Sequence, residues 1–248
     1  MSNLYLQRYL RDETAMVWAE LTALGEAVRQ EPLYSDALAV ARETMRRAQH
    51  NIGHLVSRLQ SLGYTFAHPN AIYDPLNEIG LQALEEVEET YGPLPIALRA
   101  WYEEVGTVCL LGAHPRLSQY QSIDPASVTA PLSDPLFIHE IDLLGEPGDY
   151  SSGDVAIDQL LGPRYRLTLA PDLWFKSGSS GGGYTEVLLP APTMDALLVS
   201  ADWPGFSFTN YLRLSFQWGG FAALSLDPEA ALAARQELEF LTADLLPI

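Results

Sequence analysis

From Leu38 to Leu62 apolar residues recur three and four positions apart without a break: Leu38, Ala41, Met45, Ala48, Ile52, Leu55, Leu59 and Leu62. That spacing puts them all on one stripe. It predicts a continuous amphipathic helix over 35–62, with Ser35 as its N-cap and Gly63 as its stop. Upstream, Val17, Leu21, Leu24 and Val28 repeat in the same way and predict a first helix, with the stretch EPLYS as the turn. The two form an N-terminal helical hairpin over residues 1–66, joined along a seam like that of a coiled coil.

Beyond the loop AHPNAIYDP the pattern changes. Asp74-Pro75 predicts the cap of a helix carrying Ile79, Leu84, Val87 and Tyr91 inward and the acids Glu85, Glu86, Glu88 and Glu89 outward. Gly92 ends it. Leu94-Pro95 opens a second helix, IALRAWYEEV, which Gly106 closes. Strands are then predicted at TVCLL, LFIHEIDL, YRLTLA, LWFKS and YTEVLLP. Two further helices follow, one from Ser207 to about Trp218 and one from Asp227-Pro228 onward. Helices first, strands clustered in the middle and no βαβ alternation predict an α+β domain over 72–248. Its sheet is mainly antiparallel and flanked by helices.

Charge sharpens that boundary. Residues 1–70 carry seven acids and seven bases, whereas residues 71–248 carry 25 acids and seven bases, and hence the whole formal charge of −18. Such a field repels phosphate backbones and anionic lipid, which argues against nucleic acid and membrane surfaces as partners. No run approaches the ~20 apolar residues of a membrane helix. The N-terminus, MSNLYLQRYLRDE, lacks the apolar stretch of a secretory signal. Cys109 is the sole cysteine, so no internal disulfide or thiolate metal cluster can form. These features predict a cytoplasmic protein.

The chemistry-bearing motifs fall short of an active site. Gly178-Ser179-Ser180-Gly181-Gly182 matches G-x-S-x-G, but a strand follows it and no histidine lies after His139, so the nucleophile-elbow context is missing. Lys176 precedes the glycines, the reverse of a phosphate loop. The expected reading is an exposed, mobile hairpin loop carrying Lys176 and Ser180. His50 and His54 are four apart on a helix, yet Asn51 stands where a zinc protease needs glutamate and no third ligand is evident. His68, His114 and His139 are scattered. Asp149, Asp154 and Asp158 miss the calcium-loop order. Acid pairs such as Glu85/Glu86 and Glu103/Glu104 fit solvated helix faces. No catalytic set, cofactor or metal is therefore expected.

Aromatic residues concentrate in the second segment. Most belong to a core, but Trp203-Pro204-Gly205-Phe206 lies in a loop and Tyr184 flanks the glycines, so Tyr184, Trp203 and Phe206 are the interface candidates.

Two stretches resemble the SUKH superfamily, which includes bacterial immunity proteins and a yeast cell-wall regulator. The first is LQALEEVEETYGPLPIALRAWYEEVGTVCLLG, with Leu94, Pro95, Leu98, Trp101, Tyr102 and Gly106 at signature positions. The second is LAPDLWFKSGSSGGGYTEVLLPAPTMDALL with FTNYLRLSFQWGGF after it, similar to uncharacterised bacterial members. The resemblance spans roughly residues 72–222 and implies a non-enzymatic binding scaffold with a protein partner, a basic toxin being one candidate. The alternative is a hydrolase with its site near the 145–160 loop and the glycine-rich hairpin.

Overall fold

The computed structural model describes residues 4–75, 77–120, 132–141, 165–179 and 182–248. The chain opens with α1 (Leu4–Tyr9) and α2 (Thr14–Ala23), then a 3-10 turn over Gly25–Arg29, then the long α3 (Leu33–Ser61). The first arm of the hairpin is thus three short pieces and not one helix. Asp12 and Gly25 each adopt a left-handed backbone and turn the chain at the two breaks. Its stripe still faces inward: Val17, Leu21 and Val28 are buried.

The long helix matches its periodicity. Ala41, Met45, Ala48, Ile52, Leu55 and Leu59 are all buried along α3, and Gly63, at φ 78°, turns the chain away. It starts two residues before the expected cap. Ser35 is inside the first turn, its hydroxyl 2.8 Å from the Glu31 carboxylate. Asp36 caps a different helix, accepting from the Tyr5 and Leu6 amides of α1 at 2.8 and 3.1 Å.

After β1 (Thr65–Phe66) and β2 (Tyr73–Asp74) come α4 (Glu78–Tyr91) and α5 (Ile96–Glu104). Asp74 ends β2 and does not cap α4. The cap is Asn77, whose side chain accepts from the Gly80 amide at 3.0 Å. The positions that carry the family resemblance are core: Leu94, Leu98, Trp101 and Tyr102 are fully buried. Gly106, at φ 88°, lets the chain fold back so that its carbonyl accepts from the Trp101 indole at 2.8 Å.

The strands are short, and the described pairings between them are all antiparallel. β1 pairs with β4 (Gly112–Ala113), and β3 (Thr107–Cys109) lies between β2 and β5 (Phe137–Ile138). β6 (Tyr165–Pro171) pairs with β7 (Tyr184–Leu189), with an irregularity between Thr168 and Ala170. The His139 amide donates to the Leu169 carbonyl at 2.8 Å and links β5 to β6. This is the expected α+β class with antiparallel sheets.

LWFKS, expected as a strand, is a single helical turn, α6 (Leu173–Lys176). The reason is Asp172, whose carboxylate accepts from the Phe175 amide at 2.8 Å and caps the turn. Gly182 and Gly183 therefore lie between α6 and β7, inside the β6–β7 hairpin. Chain closure follows with α7 (Phe208–Gln217), capped by Ser207, then α8 (Pro228–Ala233) and α9 (Arg235–Thr242), which break at Ala234.

One hydrophobic core runs through both segments, from Val17 and Met45 to Trp101, Phe208 and Leu241. Arg42–Glu103 and Arg46–Glu104 pairs, each 2.8 Å, bridge α3 to α5. The last residues lie across α3: Asn51 exchanges two hydrogen bonds with the Leu246 main chain, at 2.9 and 2.8 Å. Arg58 donates to the Leu241 carbonyl at 2.9 Å.

Candidate functional site

The only lysine of the chain is buried. Lys176, at 3% exposure, ends α6 and points inward, where its ammonium pairs with Asp134 and lies 3.2 Å from the Tyr211 hydroxyl. This overturns the exposed-hairpin expectation for Lys176. In a strand, residues 174 and 176 share a face; on a helical turn they diverge, so Trp174 goes out and Lys176 goes in. Ser180 lies outside the described residues, as do Asp149, Asp154, Asp158 and the 145–160 loop.

Asp134 is the hub of this cluster. Its backbone is left-handed, at φ 53°, and its second carboxylate oxygen accepts from the Trp203 indole at 3.0 Å. Burial presses the Lys176 ammonium toward neutrality, but the Asp134 charge and Tyr211 outweigh it and leave the pKa raised. Burial likewise raises the Tyr211 phenol, and the Asp134 charge adds to it. The space beside the pair, bordered by Ser118, Ser133, Leu173 and Ser177, is too small to admit a water. A charged pair sealed in this way holds elements together and offers no entry to a substrate.

Trp203 is therefore not an exposed ring. It is 3% exposed, committed to Asp134, and packed on Phe206 and Tyr211 with ring centroids 5.6 and 5.8 Å away. Phe206 is half-buried against it. Tyr184 is 37% exposed beside Phe175, and Trp174, expected in a strand, is 50% exposed. The structure thus separates the three ring candidates: Tyr184 belongs with Phe175, and Trp203 with Phe206 and the core.

The glycines have a steric role. A Cβ on Gly182 would stand 2.5 Å from Asp172 Oδ1 and 2.9 Å from the Phe175 main-chain nitrogen. Only a glycine lets the loop close on the α6 cap, where the Gly183 amide also donates to Asp172.

The histidines are dispersed. His50 and His54 are exposed on α3 with ring centroids 4.4 Å apart. Among the described residues no three His, Cys, Asp or Glu side chains converge as a metal site. Burial, and then the Lys176 charge, lowers the His139 pKa; burial is also the main cause lowering that of His114.

A further open surface lies on α4. Ile79, expected on the buried stripe, is 71% exposed. With Ala83, Val87, Tyr91 and Ile141 it lines a groove of about 420 Å³, edged by Gln82, Glu86 and Thr90. Leu84 and Val87 anchor the helix to the core, and Glu88 turns back to Arg99, which also holds Glu103 at 2.9 Å. Glu85, Glu86 and Glu89 face solvent.

No described cation offsets those acids. Among the described residues every arginine except Arg11 donates to a carboxylate or a main-chain carbonyl, from Arg8 with Glu13 and Glu20 to Arg235 with Glu239. Arg213 shows the pattern, its guanidinium 2.8 Å from the Ile248 carbonyl oxygen. No helix among the described residues is long and apolar enough to cross a membrane.

No protein-family model, curated protein or solved structure matches this chain.

Proposed function

We propose that the chain is a non-enzymatic module that binds a basic protein, in a toxin-neutralising or regulatory role. The observation that carries the reading is the disposition of charge. Among the described residues every arginine but Arg11 is tied to a carboxylate or a main-chain carbonyl, while acids such as Glu85, Glu86 and Glu89 stand outward on a chain of formal charge −18. A field of one sign steers an oppositely charged partner and speeds encounter. The resemblance of residues 72–222 to SUKH immunity and regulatory proteins supports the same class. So does the sealing of the Lys176–Asp134 pair away from any substrate. The buried free thiol of Cys109 fits a reducing, cytoplasmic setting.

The test is capture on the immobilised full chain at low salt, followed by elution with a salt gradient. A basic protein eluted by salt is expected. An acidic partner, or one that salt does not release, overturns the reading.

A further inference from the structure

We propose that the groove along α4 is the docking site for a basic amphipathic segment of the partner protein; this rests on the binding-module reading. The floor of the groove is apolar. Ile79, Ala83 and Val87 stand four apart on one flank of the helix, and Tyr91 and Ile141 close the far end. Tyr91 is held in place, stacked on Tyr165 at 3.6 Å and 10° between planes, so that end of the floor is pre-formed. A helix buries a stripe for packing on its own core, and α4 already does so through Leu84 and Val87. Ile79 is surplus to that stripe and is the exposed apolar anchor.

The edge of the groove selects the occupant. Glu86 borders it, and Glu85 and Glu89 continue the acidic side one step further around the helix. Arg99, one turn into α5, serves Glu88 and Glu103. A segment that fits needs an apolar ridge for Ile79, Ala83 and Val87 and lysines or arginines along one flank for the carboxylates. This is recognition of an amphipathic helix in a groove, with charge setting register. A second copy of this chain is disfavoured, because each copy carries a formal −18.

The probe is a labelled leucine–lysine peptide with apolar positions at helical spacing, read by fluorescence anisotropy against the full chain. Three variants decide the outcome: Ile79→Ser; Glu85→Gln/Glu86→Gln/Glu89→Gln; and Asp12→Asn/Glu229→Gln/Asp244→Asn, which removes the same charge from exposed positions elsewhere. All sites are exposed, and thermal melts confirm folding. The α4 triple variant is expected to weaken binding about tenfold. Ile79→Ser is expected to weaken it ~3- to 10-fold, through dissociation, and the remote triple variant less than ~2-fold. Equal losses from the two triple variants, or none from Ile79→Ser, overturn the site. A concentration-dependent dimer abolished by Ile79→Ser assigns the groove to a second copy and also overturns it. The two readings fail differently. A captured basic protein that binds the α4 variants normally removes this site and leaves the module, whereas capture of no basic protein removes the module.

Discussion

Trp203 donates its indole N–H to Asp134 Oδ2 at 3.0 Å, while the other oxygen of the same carboxylate holds the ammonium of Lys176. One side chain thus ties together α6, the loop before α7 and, through Tyr211, α7 itself. Both residues that sequence reasoning assigned to the surface, Lys176 and Trp203, are spent on this internal cluster. Its function is positioning: it sets the β6–β7 hairpin against the core.

Lys176→Met should destabilise the fold by roughly 3–5 kcal/mol, because it leaves the Asp134 charge buried without its partner. Lys176→Met/Asp134→Asn should recover part of that loss, since asparagine tolerates the left-handed backbone and still accepts from Trp203. Urea unfolding of the three proteins measures both. A single variant as stable as the parent contradicts the ion-pair account.

Gly182→Ala and Gly183→Ala should part company. The first puts a methyl 2.5 Å from Asp172 Oδ1 and against the Phe175 backbone; the second meets Asp172 only at an ordinary 3.5 Å. The first should cost about 1–3 kcal/mol by disrupting the α6 cap, the second clearly less. Equal melting temperatures for the two would refute the steric role assigned to this loop.

Asn51→Ala should loosen the C-terminal strap. Its amide satisfies both the amide and the carbonyl of Leu246, and the loss is about 1–3 kcal/mol for a buried polar contact. Hydrogen exchange should rise over residues 243–248 with α3 left protected. Unchanged exchange there contradicts the strap.

Acid should weaken the fold through His139. Its pKa in the folded state is depressed by burial and then by Lys176, so the unfolded chain binds the proton more readily. The sign follows: this contribution is complete above the ordinary value of ~6.5 and is lost as pH falls through the depressed one. Urea midpoints at about pH 8 and about pH 5.5 should differ less in His139→Gln than in the parent protein. An unaltered pH difference removes His139 as its source.

The parts of the fold legible in the sequence are those with a long, regular period. The α3 stripe and the start of α7 at Ser207 are legible because local pattern and burial agree over many residues. The first arm did not, because Asp12 and Gly25 break it while leaving the apolar spacing intact. The turn α6 has only four residues, too few for a helical period to repeat, and its capping by Asp172 competes with a strand-like composition. The burial of Lys176 and Trp203 has a further cause: their common partner Asp134 lies 42 and 69 positions away, and nothing local announces it. The acidic run of α4 is legible as a solvated face, but the exposure of Ile79, expected on the same stripe as the buried Leu84 and Val87, is not.

The central claim is that charge brings a basic protein to this chain, and the association rate constant of the captured partner tests it most directly. Measured by stopped flow at about 0.05 M and about 0.5 M salt, the rate should fall on the order of tenfold or more as the screening length shrinks, with dissociation nearly constant. An association rate that ignores salt contradicts the account.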